Sequence, residues 1–417
     1  MKILLYQWKA YNQSDIMQAF IRRGHEVDGF SMEMGNFESD DNFERELVKK
    51  LTQCCVGESS EGSAGSENTG SIETSEYPEV QDGRPAYDIV FSVNYFPLIS
   101  DICERYAGYG LKYVCWTCDS PLSTMYHQSI FNSCNYIFIF DKFCYITFKE
   151  MGARVYYLPL AAATERADEA IAECTADDTI RDVAFVGSMY RKNSYDEVKD
   201  MLPDYVRGYF DALMRMQMEI YGENYIDGML TADIMDELNK HFNIEKSERS
   251  FSNLSLIFST TVLGFKIAQM ERMKLLGELS KHFDVSVYTD DEEADLILAH
   301  NMGPVRYWDE SPVVFHTSRI NLNLTIRNIR SGIPLRVWDI LAAGGFCITN
   351  FQLELPLYFE NGVDLVWFED ERDLIAKVKY YLEHEEERRR IACNGQQKVR
   401  KLHNYDVRLE SMEKIIM

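Results

Sequence analysis

Three arginines fall within ten residues in the run Arg327-Asn-Ile-Arg330-Ser331-Gly332-Ile333-Pro334-Leu-Arg336-Val-Trp-Asp339. A Ser-Gly turn separates them, and an acid then opens an apolar stretch that ends at Gly344-Gly345. A helix N-terminus with flanking arginines is a site for an anion, above all a phosphate or diphosphate. Pro334 suits the first helical turn, where its missing N–H costs nothing. Asp339 is placed to accept hydrogen bonds from ribose hydroxyls. Arg327, Arg330, Ser331, Gly332, Ile333, Pro334, Arg336 and Asp339 are therefore candidate contacts for a nucleotide sugar. A solvated cationic loop is the bland alternative, and three arginines in an otherwise acidic chain weigh against it.

A second constellation is Phe185-Val-Gly187-Ser188-Met-Tyr-Arg191-Lys192. A strand ends, a Gly-Ser turn offers backbone N–H groups, and two cations follow, an arrangement that can hold a diphosphate. Alone it is ordinary turn chemistry. A third is Cys115-Trp-Thr-Cys118-Asp119-Ser-Pro121, leaving a buried strand. Asp119 there is either a base for an acceptor hydroxyl or an Asx-turn residue before proline. The Cys-x-x-Cys pair has no second pair to complete a zinc site, so buried thiols are expected and no metal.

The elements that carry these residues alternate strand and helix. Strands are expected at Lys2–Trp8, His25–Phe30, Tyr87–Val93, Leu111–Trp116, Asn135–Phe140 and Val155–Leu158. A helix before Gly24 should bury Ile16, Phe20 and Ile21. A second set starts at Asp182–Val186 and resumes at Val285–Tyr288, Ile320–Leu324, Phe346–Thr349 and Asp364–Phe368. It carries helices at Ala268–Phe283 and Pro334–Ala343, then charged ones from Arg372 and Glu386. Two α/β, Rossmann-like domains follow, with a cleft between them. The first is expected over 1–163, with a Ser/Gly/Glu-rich flexible insertion at 57–83. A linker covers 164–180. The second domain spans 181–400 and has a helical insertion at 195–242, where Val206, Phe210, Leu213, Met214, Met218 and Tyr221 form one stripe. A last helix is expected over 401–417.

A net charge of −24 at 417 residues repels nucleic acid and anionic membranes, so a phosphate ligand must be held by a local basic cluster. The strand-like start lacks a signal-peptide layout, and no apolar run reaches membrane-span length. With irregularly spaced cysteines, this points to the cytoplasm. The first strand-helix turn, Trp8-Lys-Ala-Tyr-Asn-Gln-Ser14, lacks glycine, which excludes a dinucleotide fingerprint.

Phe91-Ser-Val-Asn94-Tyr-Phe-Pro, Trp116-Thr-Cys-Asp119-Ser-Pro, Cys134-Asn-Tyr-Ile-Phe-Ile-Phe-Asp141-Lys and Val155-Tyr-Tyr-Leu-Pro-Leu resemble the N-terminal domain of CgeB-type (spore-maturation-protein-like) glycosyltransferases. Phe185-Val-Gly-Ser, Ile320-Asn-Leu-Asn-Leu, Ser331-Gly-Ile-Pro-Leu-Arg336 and Asp339-Ile-Leu-Ala-Ala-Gly-Gly-Phe-Cys-Ile-Thr-Asn350-Phe-Gln352 resemble their C-terminal domain. The resemblance implies a GT-B fold, with the nucleotide-sugar donor mainly on the second domain, no bound metal, and the last helix at 401–417 returning to the first domain. It further implies transfer of a sugar, UDP-linked above all, to a hydroxyl of a glycan or protein acceptor. In the wider family a pair of glutamates separated by seven residues contacts the donor. Asp339 stands at the later position, which holds the ribose, and Ser331 at the earlier. Arg191, Lys192, Arg327 and Arg336 become diphosphate candidates, with Arg336 also catalytic, and Asn94 and Asp119 acceptor-side candidates. Tyr307 and Trp308 either stack on the base or pack. Because Ser331 is not an acid, a non-catalytic nucleotide-sugar-binding or assembly protein stays open, as does a nucleotide-sugar epimerase or hydrolase.

Overall fold

The computed structural model describes residues 1–52, 83–120, 122–174, 181–243, 245–291 and 298–417. Apart from Gly83, the insertion expected at 57–83 lies outside these residues, as does the end of the linker, 175–180.

Six strands form the first sheet: β1 (Lys2–Gln7), β2 (Glu26–Ser31), β3 (Ile89–Val93), β4 (Lys112–Trp116), β5 (Asn135–Ile139) and β6 (Val155–Tyr157). They pair in the order β2-β1-β3-β4-β5-β6, every pair parallel. Parallel strands covered on both faces read as continuous apolar runs, and β3, Ile-Val-Phe-Ser-Val, is buried throughout. The helix Gln13–Arg22 buries Ile16 and Phe20 against this sheet, but Ile21 is 43% exposed, against expectation. Ile16 and Phe20 are four residues apart and share a face. Ile21 is turned about 100° from Phe20 and leaves that face.

The second sheet holds β7 (Arg181–Val186), β8 (Val285–Tyr288), β9 (His300–Asn301), β10 (Ser318–Asn323), β11 (Cys347–Asn350) and β12 (Val366–Phe368). Its order is β12-β11-β10-β7-β8-β9, again all parallel. The chain direction across the sheet reverses between β7 and β10. Open α/β sheets bind ligands outside the carboxyl ends of strands at such a switch point. The two sheets are the two expected Rossmann-like units.

Within the expected linker, Thr164–Ile171 forms a helix with Thr164 and Ala167 buried. The expected helical stretch at 195–242 breaks into several helices. The longest, Asp204–Met218, buries Val206, Phe210, Leu213 and Met214. These pack with Leu263 and Ile267 of the long helix Leu263–Ser280 in a core of their own. Glu310–Thr317 also forms a helix, which the sequence does not predict because its Ser-Pro-Val-Val-Phe run has no clear helical period.

The last helix, Tyr405–Ile416, lies on the first unit. Arg23 forks onto Glu413 at 2.7 and 2.6 Å, and Lys112 Nζ donates to the Ile416 carbonyl at 2.5 Å. The crossover is fixed where Ala162 N donates to the His403 carbonyl (2.9 Å) and Arg408 Nε to that of Leu160 (3.2 Å). No helix among the described residues is long and apolar enough to cross a membrane.

At this crossover the His403 ring contacts Trp338, Tyr358 and Phe359, and Arg408 Nη2 lies 2.9 Å from its Nδ1. Burial, then the Arg408 charge, pushes its pKa down to about 4. The folded state therefore binds fewer protons than the unfolded one between about pH 4 and 6.5, and this part of the stability is lost as pH falls through that window. Thermal melts of wild type and His403→Gln over pH 7 to 4 should show the wild type losing more stability than the variant.

Candidate functional site

A cavity of about 450 Å³ opens at the switch point of the second sheet. The carboxyl end of β7 supplies Phe185, Val186, Gly187 and Ser188, that of β8 Tyr288 and Thr289, and that of β10 Asn323, Leu324 and Thr325. The opposite wall is Pro334, Leu335, Arg336 and Asp339 at the start of the helix Leu335–Ala342. The first unit contributes Tyr11, from the turn after β1, which packs on Tyr307 with ring centroids 5.1 Å apart. Gly187, at φ 157°, lets the β7 turn close, since a Cβ there would come within 3.3 Å of the Phe185 ring.

Two arginines face the cavity. Arg272, from the helix Leu263–Ser280, is buried; it donates from Nη1 to the Ser188 carbonyl and from Nη2 to that of Leu324 at 2.9 Å. Its guanidinium lies over the rings of Phe185 and Tyr190, at 5.2 and 4.8 Å. Tyr190 is held at φ 52°, a strained conformation for an aromatic residue, by stacking on Phe265 at 5.0 Å. Burial lowers the Arg272 pKa, and the nearby Arg336 charge lowers it further. Arg336 Nη1 is buried with no hydrogen-bond partner, and its guanidinium lies 5.3 Å over the Phe315 ring. Two crowded cations, one with a donor unused, make a site whose electrostatic need is an anion.

Asp339 is the acid of this wall and is buried. Its Oδ1 accepts from Tyr307 Oη (3.0 Å) and from Arg166 Nη2 (3.2 Å), while its Oδ2 has no partner. Burial raises its pKa, against the lowering effect of Arg166 and Arg336. An unpaired carboxylate oxygen beside a cationic cavity suits a ligand with both an anionic group and hydroxyl donors. Among the described residues, no three or more His, Cys, Asp or Glu gather as metal ligands.

Of the residues singled out from sequence, the structure thus brings Gly187, Ser188, Pro334, Arg336 and Asp339 to one cavity. Arg191 and Lys192 lie in the same turn but at the exposed surface, off the cavity wall. Arg327 and Arg330 are not on the wall either. Arg327 is buried, with Nη2 2.8 Å from Glu271 Oε1 and its guanidinium over Tyr221, and Arg330 pairs with Asp227 and covers the Phe143 ring. Tyr307 lines the cavity, but its ring lies under the Arg166 guanidinium at 4.4 Å, in a packing role. Trp308 is 47% exposed and off the wall. Sequence reasoning missed Arg272. Its signal was its position: it follows Ala268 by four residues and precedes Leu276 by four, so a charge falls on the apolar face of that helix.

Ser331, Gly332 and Ile333 are also off the wall, because the turn carrying them is bound to the first unit. The carboxylate of Asp141, at the end of β5, accepts from the backbone N–H groups of Arg330 (2.7 Å), Ser331 (3.2 Å) and Gly332 (3.4 Å). Ser331 Oγ lies 3.0 Å from Asp141 Oδ1 and 2.7 Å from Glu354 Oε1. Glu354 also accepts from Lys142 N at 2.7 Å and from the Tyr157 hydroxyl, and burial raises its pKa. The amides of Arg330, Ser331 and Gly332, just ahead of the helix start, thus hold an anion, and that anion is a side chain of this same protein.

Across the first unit, Asn94 sits at φ 65°, a conformation asparagine tolerates. Its Oδ1 accepts from Cys118 N (2.8 Å) and Asp119 N (3.3 Å), and its Nδ2 donates to Asp119 Oδ2 (2.6 Å). Asp119 remains solvent-accessible, but surrounding protein raises its pKa, with the Asn94 hydrogen bond working against that rise.

Residues 267–414 match a family model described as glycosyl transferase-like. A glycosyltransferase from Rickettsia africae is similar over 100% of this chain and 97% of its own, at 9% identity and TM-score 0.53. The sucrose-phosphate synthase of Thermosynechococcus elongatus is similar over 100% of this chain and 98% of its own, at 10% identity and TM-score 0.50. No curated protein sequence matches the chain. The fold is GT-B: two Rossmann-like domains facing each other across a cleft.

The seam around Asp141 sets one expectation. A Cβ on Gly332 would stand 2.9 Å from the Phe140 ring and 3.1 Å from Asp141 Cα. Gly332→Ala should force the domains apart there and cost about 1–3 kcal/mol, read as a lower denaturation midpoint. An unchanged midpoint would mean that the seam yields freely.

Proposed function

We propose that this protein is a glycosyltransferase of the CgeB-like kind, moving a sugar from a nucleotide sugar, UDP-linked above all, to a hydroxyl of a glycan or protein acceptor in the cytoplasm. The observation that carries the proposal is the pairing, in one switch-point cavity, of the partnerless Asp339 Oδ2 with the crowded cations Arg272 and Arg336. Ribose hydroxyls would satisfy the first, and a diphosphate the second. The glycosyl transferase-like match over residues 267–414 supports the same reading.

In this reading the bond between the anomeric carbon and the diphosphate oxygen breaks, and negative charge grows on the leaving nucleoside diphosphate. Arg272, Arg336 and the start of the helix Leu335–Ala342 stabilise that charge, so no metal is required. Gly187 and Ser188 bring backbone close to the phosphates. Asp119, oriented by Asn94, takes the proton of the attacking acceptor hydroxyl. Arg191 and Lys192, at the mouth of the same turn, attract the anionic donor.

A second reading draws on the seam. The turn at Ser331 is saturated by Asp141 and Glu354, so the side of the site where a sugar is usually gripped is filled by protein. A nucleotide-sugar-binding protein without turnover would be built this way.

The test is product analysis with a panel of nucleotide sugars, with and without glycan and peptide acceptors, in EDTA. Acceptor-dependent release of nucleoside diphosphate is the expected result; tight binding without release supports the second reading. Arg336→Ala should lower turnover at least about a hundredfold with the fold intact, and near-normal turnover removes that arginine from the mechanism. Asp119 must be ionised to act, so the rate should rise with pH through its raised pKa. Asn94→Gly, which keeps the backbone conformation but removes the lowering hydrogen bond, should move that limb to higher pH.

A further inference from the structure

We infer that Arg166 is the positioning residue that aims Asp339 at the donor ribose and makes that aim depend on the first domain. The inference rests on the nucleotide-sugar reading of the cavity. Arg166 lies on the helix Thr164–Ile171, between the two sheets in the chain, and every nitrogen of its guanidinium is engaged. Nε meets both oxygens of Asp15, at 3.0 and 3.1 Å. Nη1 donates to the carbonyls of Tyr307 (3.1 Å) and Trp308 (3.3 Å). Nη2 donates to Asp339 Oδ1 at 3.2 Å, and the Tyr307 ring lies beneath the group at 4.4 Å.

The two oxygens of Asp339 are used differently. A carboxylate rotates easily about its last bond, and either oxygen could turn toward any donor. Here Arg166 and Tyr307 both donate to Oδ1, which pins the group and leaves Oδ2 without a partner. A contact that served only to hold the domains together would have no need to leave a buried carboxylate oxygen unsatisfied. Arg166 is itself pinned by Asp15, on the first helix of the first domain. The orientation of the ribose acceptor is thus set from across the cleft. Lysine could keep the charge but not this planar fork.

The test measures binding of UDP, GDP and ADP, and of their 2′,3′-dideoxy counterparts, to the full-length protein by calorimetry. For the nucleotide that binds, wild type should prefer the ribose form by about ten- to a hundredfold, the value of hydrogen bonds to a charged acceptor. In Arg166→Ala the ratio should fall toward one while the dideoxy form binds as it does to wild type. Should that variant fail to fold, Arg166→Lys and Tyr307→Phe carry the test, each with an intermediate ratio expected. An arginine that only stabilised the fold would weaken both forms alike and leave the ratio unchanged, and that result in any folded variant at Arg166 overturns the inference. A wild type that binds diphosphates without preferring ribose overturns it too, while sparing the diphosphate site. Failure to bind any nucleoside diphosphate removes the nucleotide reading itself, and the inference with it.

Discussion

Asp141 accepts hydrogen bonds from three consecutive backbone amides of the opposite domain while capping its own helix through Phe143 N and Cys144 N. A buried carboxylate is tolerated only where protein donors replace water, and here donors from both domains do so. Separating the domains would strip this charge of more than half its hydrogen bonds. The rest of the architecture follows from that constraint. The turn at Arg330–Gly332 is held against the first domain, and the helix behind it starts with Leu335, Arg336 and Asp339 on the cavity wall. The C-terminal helix holds the first domain through Glu413 on Arg23 and Arg408 on the Leu160 carbonyl, and the Arg408 guanidinium also lies over Trp338 of the second domain, 5.6 Å from its ring.

Charge is distributed unevenly across the cleft, and that unevenness gives the site its chemistry. Arg327 and Arg330 are matched by Glu271 and Asp227. Arg272 donates to the carbonyls of Ser188 and Leu324, and Arg336 keeps a buried nitrogen without a partner. In a chain of net charge −24, two neighbouring cations that no carboxylate among the described residues bridges are a costly arrangement that a ligand anion would relieve. Asn94 and Asp119, the proposed acceptor-side pair, are organised differently: the Asn94 amide holds the Cys118–Asp119 segment and leaves the Asp119 carboxylate accessible.

The strands were readable because buried parallel strands are unbroken apolar runs, as in Ile89–Val93 and Asn135–Ile139. The residues Gly187, Arg336 and Asp339 were readable because strand-end turns and helix starts are local features. Arg327 and Arg330 look no different from Arg336 along the chain. What separates them is Glu271, 56 positions away, and Asp227, 103 positions away, and sequence does not announce such partners. Ser331 was correctly seen as no acid, but its neighbours Asp141 and Glu354 arrive from two other loops. Arg166 sat in a segment read as linker, where the Ala- and acid-rich composition hid a helix whose single arginine reaches both domains.

The central claim is that one cavity holds both the ribose and the diphosphate of a nucleotide. A structure of the protein with bound nucleoside diphosphate tests it most directly. The account predicts a ribose hydroxyl within about 3 Å of Asp339 Oδ2, with the diphosphate between Arg272 and Arg336 and against Gly187. A diphosphate bound instead at Arg327 or Arg330, or a ribose turned away from Asp339, would contradict it.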